Sequence, residues 1–411
     1  MTSCRQTLLA TALYAAVAGF ACARAPHHPD VLTIEPIQFA APAGSSLPNL
    51  SASGEPAILS WVETVAAEAS GEKSRATLKF AERTANGWSE PRTVAAGSDW
   101  FVNSADIPSV VRLDGQTLVA HWLQNTDVHR EAYDIHMSWS ADGGATWSAP
   151  VMPHHDGTTT QHGFATLFPM PGAQLGVVWL DGRATVDPEN DNMSVRAATF
   201  DRTGHQVSES LVDDRVCDCC PTAAAATGEG AIAVYRDRSA TEVRDIAAAR
   251  LVNGAWTPSA LVHADNWKIE ACPVNGPAVS VRDRDVAVAW MTADGEQGHA
   301  FAAFSGDAGA TFGAPVRLDE TGSLGRVGIA LVDQSTAYAT WIEFSSGPAQ
   351  LMMRRVDRSG QRGPTQIVTG LAGDRASGYP RIARSGGELL FAWTEIASGQ
   401  PRVRTAAARS F

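Results

Sequence analysis

Ser140-Ala-Asp142-Gly-Gly144-Ala-Thr146-Trp147 has a second copy in Ser305-Gly-Asp307-Ala-Gly309-Ala-Thr311-Phe312, and this pair decides how the 411-residue chain is read. Both fit S-x-D-x-G-x-T followed by an aromatic. Asp and Gly suit a tight turn with left-handed residues, and the aromatic can pack the turn against a sheet. Shorter relatives stand at Asn86-Gly87-Trp88 and Asn253-Gly254-Ala255-Trp256. Each follows a strand-like run, such as residues 135–140 or 246–251. Working outward, an apolar run ending in an aromatic recurs seven times, at Trp61, Trp122, Trp179, Tyr235, Trp290, Trp341 and Trp393. The spacings are 61, 57, 56, 55, 51 and 52 residues. A Pro or Gly that opens a short strand precedes most of these anchors, as in Ile107-Pro108, His162-Gly163, Cys220-Pro221 and Tyr379-Pro380.

Short strands with turn signals between them indicate antiparallel β structure. A period near 55 residues with four strands per unit predicts an all-β fold, a single β-propeller of four-stranded antiparallel blades. Seven anchors predict seven blades, with six as the alternative. Helical periodicity is not sustained after the N-terminal segment. The last repeat ends after its third strand, and residues 31–39 (VLTIEPIQF) have no repeat of their own. They are expected to supply the outer strand of the last blade and close the ring, which removes exposed sheet edges. The propeller domain is therefore placed at 31–411.

Composition agrees with a folded, exported domain. The chain is 44% hydrophobic, too apolar for disorder. Its formal charge of −12, with no basic stripe, excludes nucleic acid as a partner. Arg5 followed by an apolar run over residues 8–20 reads as a signal peptide spanning 1–23, too short to cross a bilayer. Cleavage after Ala23 and lipid attachment at Cys22 are the two endings it allows. The protein is thus expected to be periplasmic or lipid-anchored in a bacterial envelope, and monomeric. The mature part keeps Cys217, Cys219, Cys220 and Cys272, an even number that suggests disulfides in an oxidising compartment. Bonding within the 217–220 cluster would be strained, so pairing to Cys272 is favoured.

The two full turn motifs resemble the Asp-box (BNR) repeat of the sialidase-like propellers, and this chain is read as a divergent member. The resemblance implies a ligand site on the opposite face from the turns, at the mouth of the central channel, and a glycoside hydrolase of exo-sialidase type where the chemistry is kept. It also implies an arginine in an R-I-P motif, but Ala105-Asp106-Ile107-Pro108 puts Asp106 at that position. The family's acid/base Asp corresponds to Asp127 or Asp134. Its tyrosine nucleophile would have to be Tyr379 or Tyr235.

In such a ring, the loops entering the inner strands and the loops between second and third strands open on one face. They bring Asp106, His162, Asn275, Arg326, Arg381, Arg183, Arg236 and Arg238 toward the mouth as candidate substrate-binding residues. Arginine forks suit carboxylates, so an acidic glycan or another small anion is the expected ligand. Asp181 with Arg183, and Arg236-Asp237-Arg238, can equally brace loops as ion pairs. Three entering loops on consecutive blades carry His154-His155-Asp156 with His162, the cysteine cluster, and Cys272 with Asn275. No cofactor is firmly implied, but Cys, His and Asp together can bind Zn or Cu, so these loops are either disulfide-held or a metal or thiol site. The function classes left open are an acidic-glycan hydrolase, a non-catalytic envelope binding module, and a metal or thiol protein.

Overall fold

The structure, a computed structural model, describes residues 28–39, 41–67, 73–127, 131–187, 189–344, 348–372, 375–409 and 411. Residues 1–23, expected to be a signal peptide with Cys22 as a lipid-attachment candidate, lie outside the described residues. Seven antiparallel sheets follow one another along the chain and form a seven-bladed β-propeller. Two single turns of 3-10 helix, Arg183–Val186 and Arg375–Ser377, are the helical elements among the described residues.

The inner strands are Ser45–Ser51, Ser109–Asp114, His162–Met170, Ala223–Thr227, Ala278–Arg282, Gly325–Leu331 and Arg381–Ser385. Each is followed by a second strand that carries the repeated aromatic. Blade seven is completed by Ile34–Ile37, which pairs antiparallel with the final strand Gln400–Arg409, Ile34 opposite Ala408 and Ile37 opposite Thr405. The N-terminal strand thus closes the ring as the repeat phase requires. Blade two is reduced. Its fourth strand shrinks to a single bridge between Met137 and Val151, where Pro150 and Pro153 withhold the N–H groups a longer ladder needs.

The core lies between the blades. Trp61, Trp179, Tyr235, Trp290 and Trp341 are completely buried. Burial of an indole N–H demands an acceptor, and the repeat supplies one. Trp61 donates to Glu63 at 3.0 Å, Trp179 to Asp181 at 2.9 Å, and Trp341 to Glu343 at 2.8 Å. A carboxylate two residues after the aromatic is therefore a structural position in three blades.

The two S-x-D-x-G-x-T turns share one hydrogen-bond pattern. Ser140 Oγ donates to Asp142 Oδ1 at 2.8 Å, and Asp142 accepts from Thr146 N and Thr146 Oγ1 at 2.9 and 2.7 Å. Asp307 receives the same three bonds from Ser305 and Thr311. These bonds hold Asp142 down to a pKa of about 2, Thr146 contributing most. Trp147 meets Phe80 of blade one edge-on, with ring centres 6.0 Å apart. By the antiparallel order these turns lie on the face opposite the entering loops.

Gly144 has φ +86°, and a Cβ there would lie 2.4 Å from Phe80 Cζ. Gly144→Ala is expected to lose roughly 1–3 kcal/mol from the backbone conformation alone, with overpacking added. A lower urea midpoint at unchanged m-value checks it; an unchanged midpoint would show the turn is not under this constraint.

Candidate functional site

The antiparallel register carries a cluster of His and Asp to one place beside the channel mouth. His162 is the first residue of blade three's inner strand and sits opposite Asp181, the last residue of the second strand. Asp134 belongs to the third strand of blade two, Ala132–Ser140. His154 and Asp156 come from the loop entering blade three. His162 is fully buried and His154 is 3% exposed. Their imidazoles stack, with centres 3.8 Å apart and planes 7° from parallel.

One edge of this stack faces Asp134 and the other faces Asp156. Asp134 Oδ1 lies 3.2 Å from His162 Nδ1 and 3.7 Å from His154 Nε2. Asp156 Oδ2 lies 3.2 Å from His162 Nε2 and 3.6 Å from His154 Nδ1. These contacts are off the ring N–H directions. Both His162 nitrogens, His154 Nε2, Asp134 Oδ1 and Asp156 Oδ2 are buried without a hydrogen-bond partner. Burial chiefly, and then the neighbouring His162, depress the His154 imidazole to about 4 despite three nearby carboxylates.

Arg183 closes the cluster. Its Nε and Nη2 grip Asp181 at 2.7 and 2.8 Å, and Nη2 also reaches Glu209 at 3.0 Å. Burial works to raise the Asp181 carboxyl, but the Arg183 fork, His162 and the Trp179 indole outweigh it and hold it below the usual range.

The cysteines form a second cluster. Cys219 and Cys272 make a disulfide with Cα atoms 6.1 Å apart. This joins the 217–220 cluster to Cys272, as the sequence favoured. Cys217 and Cys220 are free and buried, with Sγ atoms 2.8 Å apart. They are spaced as C-x-x-C, a signal the sequence reading passed over. The Cys220 hydrogen bond, Cys219 N and the charges of Arg236 and Arg244 bring the Cys217 thiol down to about 7 against its burial. Burial pushes Cys220 well above its ordinary range. Arg244 Nη1 lies 3.5 Å from Cys217 Sγ.

The remaining candidate residues divide sharply. Arg236 is 1% exposed, and its three nitrogens donate to the carbonyls of Asn275, Arg244 and Met291 at 2.7–2.8 Å. It braces loops and presents nothing to the mouth. Arg238 is held by Glu242 and Asp191. Asn275 accepts from Arg326 N at 2.8 Å and donates to Leu324 O at 3.2 Å, so it ties two entering loops together. The Tyr379 hydroxyl is buried and donates to Val274 O at 2.5 Å, and burial pushes it above its ordinary range. Asp127 ends the second strand of blade two, beside residues 128–130, which lie outside the described residues. Asp106 stands on the channel wall but presents almost no accessible surface to it. It is 1% exposed, accepts from Phe164 N at 2.6 Å, and is pushed by burial up to about 7.

Arg381 stands at the start of the last inner strand, on the wall of a channel of about 810 Å³. Arg282 and Arg384, which the sequence reading did not select, line the same channel. Nε of Arg381 and of Arg384 has no partner. Burial lowers the Arg381 guanidinium to about 10. Burial and the charge of Arg282 lower Arg384.

No protein-family model matches the chain, and no curated protein matches it in sequence. Among solved structures, a protein of unknown function from Dyadobacter fermentans is similar over 94% of this chain and 100% of its own, at 13% identity and TM-score 0.53. A puromycin-hydrolyzing peptidase of Mycobacterium tuberculosis is similar over 90% of this chain, at 12% identity and TM-score 0.51. This chain spans about half, 54%, of that peptidase. A looser match, TM-score 0.47 at 10% identity, covers 75% of this chain and 96% of an intramolecular trans-sialidase from Ruminococcus gnavus. These likenesses concern the fold.

The folded pKa of Asp106 lies above its unfolded value, so the native state holds a proton the unfolded state has lost between about pH 4 and 7. Stability should therefore fall as pH rises through that window, by as much as about 4 kcal/mol at 1.36 kcal/mol per pKa unit. In Asp106→Asn, Tm should lose most of that decline; an unaltered pH profile would refute the assignment. For Cys217, thiolate absorbance of the disulfide-intact protein should rise with a midpoint near pH 7. Cys217→Ser should remove that step, and a midpoint at ordinary thiol values in the native protein would contradict it.

Proposed function

We propose that this propeller is an exported binding protein that holds an acidic glycan, or a smaller anion of the same chemistry, in its central channel without cleaving it. The observation that carries this reading is the set of guanidinium groups on the channel wall. Among the described residues, Arg282, Arg381 and Arg384 form no ion pair, while most other arginines of the chain do. Burial disfavours the charge of Arg381 and of Arg384, and the nearby Arg282 charge adds to the cost at Arg384. A carboxylate between them would relieve both costs, since charge-assisted bonds to guanidinium are among the strongest available.

The rest of the lining suits a sugar. Ser51 and Ser280 bring hydroxyls to the wall among small apolar residues such as Ala224 and Ala226, the Ser280 oxygen also accepting from Leu331 N, while the hydroxyls of Ser109 and Thr166 are held by His121 and Thr222. The channel volume falls in the range of small-ligand sites. Export rests on residues 1–23. Binding is favoured over hydrolysis because Tyr379 gives its proton to a main-chain carbonyl inside the protein.

Titration calorimetry with sialyllactose and digalacturonate, against lactose as the neutral control, tests the reading. At least one acidic sugar should bind and lactose should not. Arg381→Ala should weaken binding about ten- to a hundredfold, as expected for loss of a charged hydrogen-bond partner worth roughly 1.5–3 kcal/mol. Equal binding of acidic and neutral sugars, or indifference to Arg381→Ala, would overturn it. Release of free sialic acid that Tyr379→Phe abolishes would replace binding with hydrolysis.

A further inference from the structure

We propose that Asp134 Oδ1, His154 Nε2 and His162 Nδ1 bind one divalent transition-metal ion, Zn2+ or Cu2+, with a fourth position open to an outside ligand. The donor atoms of these three residues all lie within 4.8 Å of one another. Asp134 Oδ1 is 3.2 and 3.7 Å from the two nitrogens. Bonds of roughly 2.0–2.1 Å to a tetrahedral centre place ligand atoms about 3.4 Å apart, which these spacings straddle. All three atoms are buried and lack a hydrogen-bond partner. Neighbouring ligand atoms are expected to look this way. They lie close together without bonding one another.

The opposite edge of the imidazole stack supplies what such a site needs behind it. Asp156 Oδ2 lies 3.2 and 3.6 Å from the outer nitrogens of His162 and His154. A carboxylate behind a ligating imidazole fixes its tautomer and orientation. Asp156 is itself fixed, accepting from Thr158 N at 3.0 Å and from Thr158 Oγ1 at 2.5 Å. Asp156 Oδ2 has no hydrogen bond to either ring as they stand, and becomes a positioning residue once the rings turn to donate to it, with Asp134 as a ligand. For both in-plane lone pairs to reach one ion, the stacked rings must fan apart on the Asp134 side, with Asp156 as the pivot.

Charge points the same way. Asp134, Asp156 and Asp181 converge on the histidines with the single guanidinium of Arg183. An imidazole and carboxylate donor set suits Zn2+ or Cu2+. The side chain of Asp134 is 17% exposed although its Oδ1 is buried, so the ion would sit just beneath the surface. The thiols are not part of this donor set. The inference does not rest on anion binding in the channel, and either can fail alone.

The test loads the full mature chain with Zn2+ or Cu2+, removes excess, and counts metal by elemental analysis. One equivalent is expected. Cu2+ electron paramagnetic resonance should show superhyperfine splitting from two nitrogens. His162→Gln and His154→Gln should each cut affinity at least a hundredfold and alter that pattern. Asp134→Asn, at a part-exposed residue, provides a variant expected to fold even where the histidine variants do not, and should also cut affinity. Asp156→Asn should weaken binding about ten- to a hundredfold while leaving two nitrogens in the spectrum. Cys217→Ser with Cys220→Ser should retain the full equivalent. Absence of tight metal, metal retained in Asp134→Asn and His162→Gln alike, or metal lost only with the cysteines, would overturn the proposal.

Discussion

Ring closure is the constraint on which the other features depend. Four residues, Ile34–Ile37, pair with Gln400–Arg409 and complete a blade whose other strands come from the far end of the chain. An unclosed ring would leave the last strand's N–H and C=O groups as an open edge, a template for aggregation. Closure also fixes the number of blades at seven. That number sets the channel width and so decides which inner-strand side chains face one another across it. Arg381 and Arg384 of blade seven and Arg282 of blade five share one channel only because the circle is complete.

Within that frame, one repeated solution to a burial problem builds part of the site. A tryptophan buried between blades needs an acceptor for its N–H, and a carboxylate two residues on provides it in three blades. In blade three the same carboxylate, Asp181, sits opposite His162 at the top of the inner strand. Arg183 then neutralises it through a two-nitrogen grip. A residue placed by the packing of the fold thus anchors the electrostatics of the mouth. Blades six and one use Glu343 and Glu63 at the same phase, where Thr321 and Lys79 meet them in place of histidine.

The fold was legible in the sequence because its signals are local and repeated. Each blade carries its own aromatic, its own turn and its own strand-opening Pro or Gly, so errors at one blade are corrected by six others. The closing strand was legible from phase alone. Blade two's missing outer strand was not, since bridging at Val151 depends on how far the ladder runs between prolines. The site was legible only as a set of loops. Arg236 and Arg381 look alike in sequence, each at the mouth end of a strand. Arg236 is internal because its partners are carbonyls 8, 39 and 55 residues away, which no spacing encodes. The hydrogen bond from Phe164 N to Asp106 depends on the packing of two blades, which no local pattern encodes. His154 and Asp156 are legible only as part of a candidate metal-binding loop. Their importance appears only when Asp134, from another blade, arrives beside them.

The two proposed sites carry opposite charge and share one strand. His162 opens the inner strand whose later residues, Phe164 to Met170, line the channel. The mouth at blades two and three is rich in carboxylates, whereas the channel wall at blades five and seven is rich in guanidinium groups. An anion entering from that face must pass the carboxylates, and repulsion between like charges in a partly buried setting is only weakly screened by salt. A divalent ion among Asp134, His154 and His162 would offset that barrier and leave Arg183, already neutralised by Asp181 and Glu209, out of the balance. The metal would then set the sign of the potential at the mouth, and the arginines the affinity within. On this view the uneven charge of the ring gates the approach of its own ligand, and the cysteine loop of blade four, tied to blade five by the Cys219–Cys272 bond, holds the far side of the entrance in place.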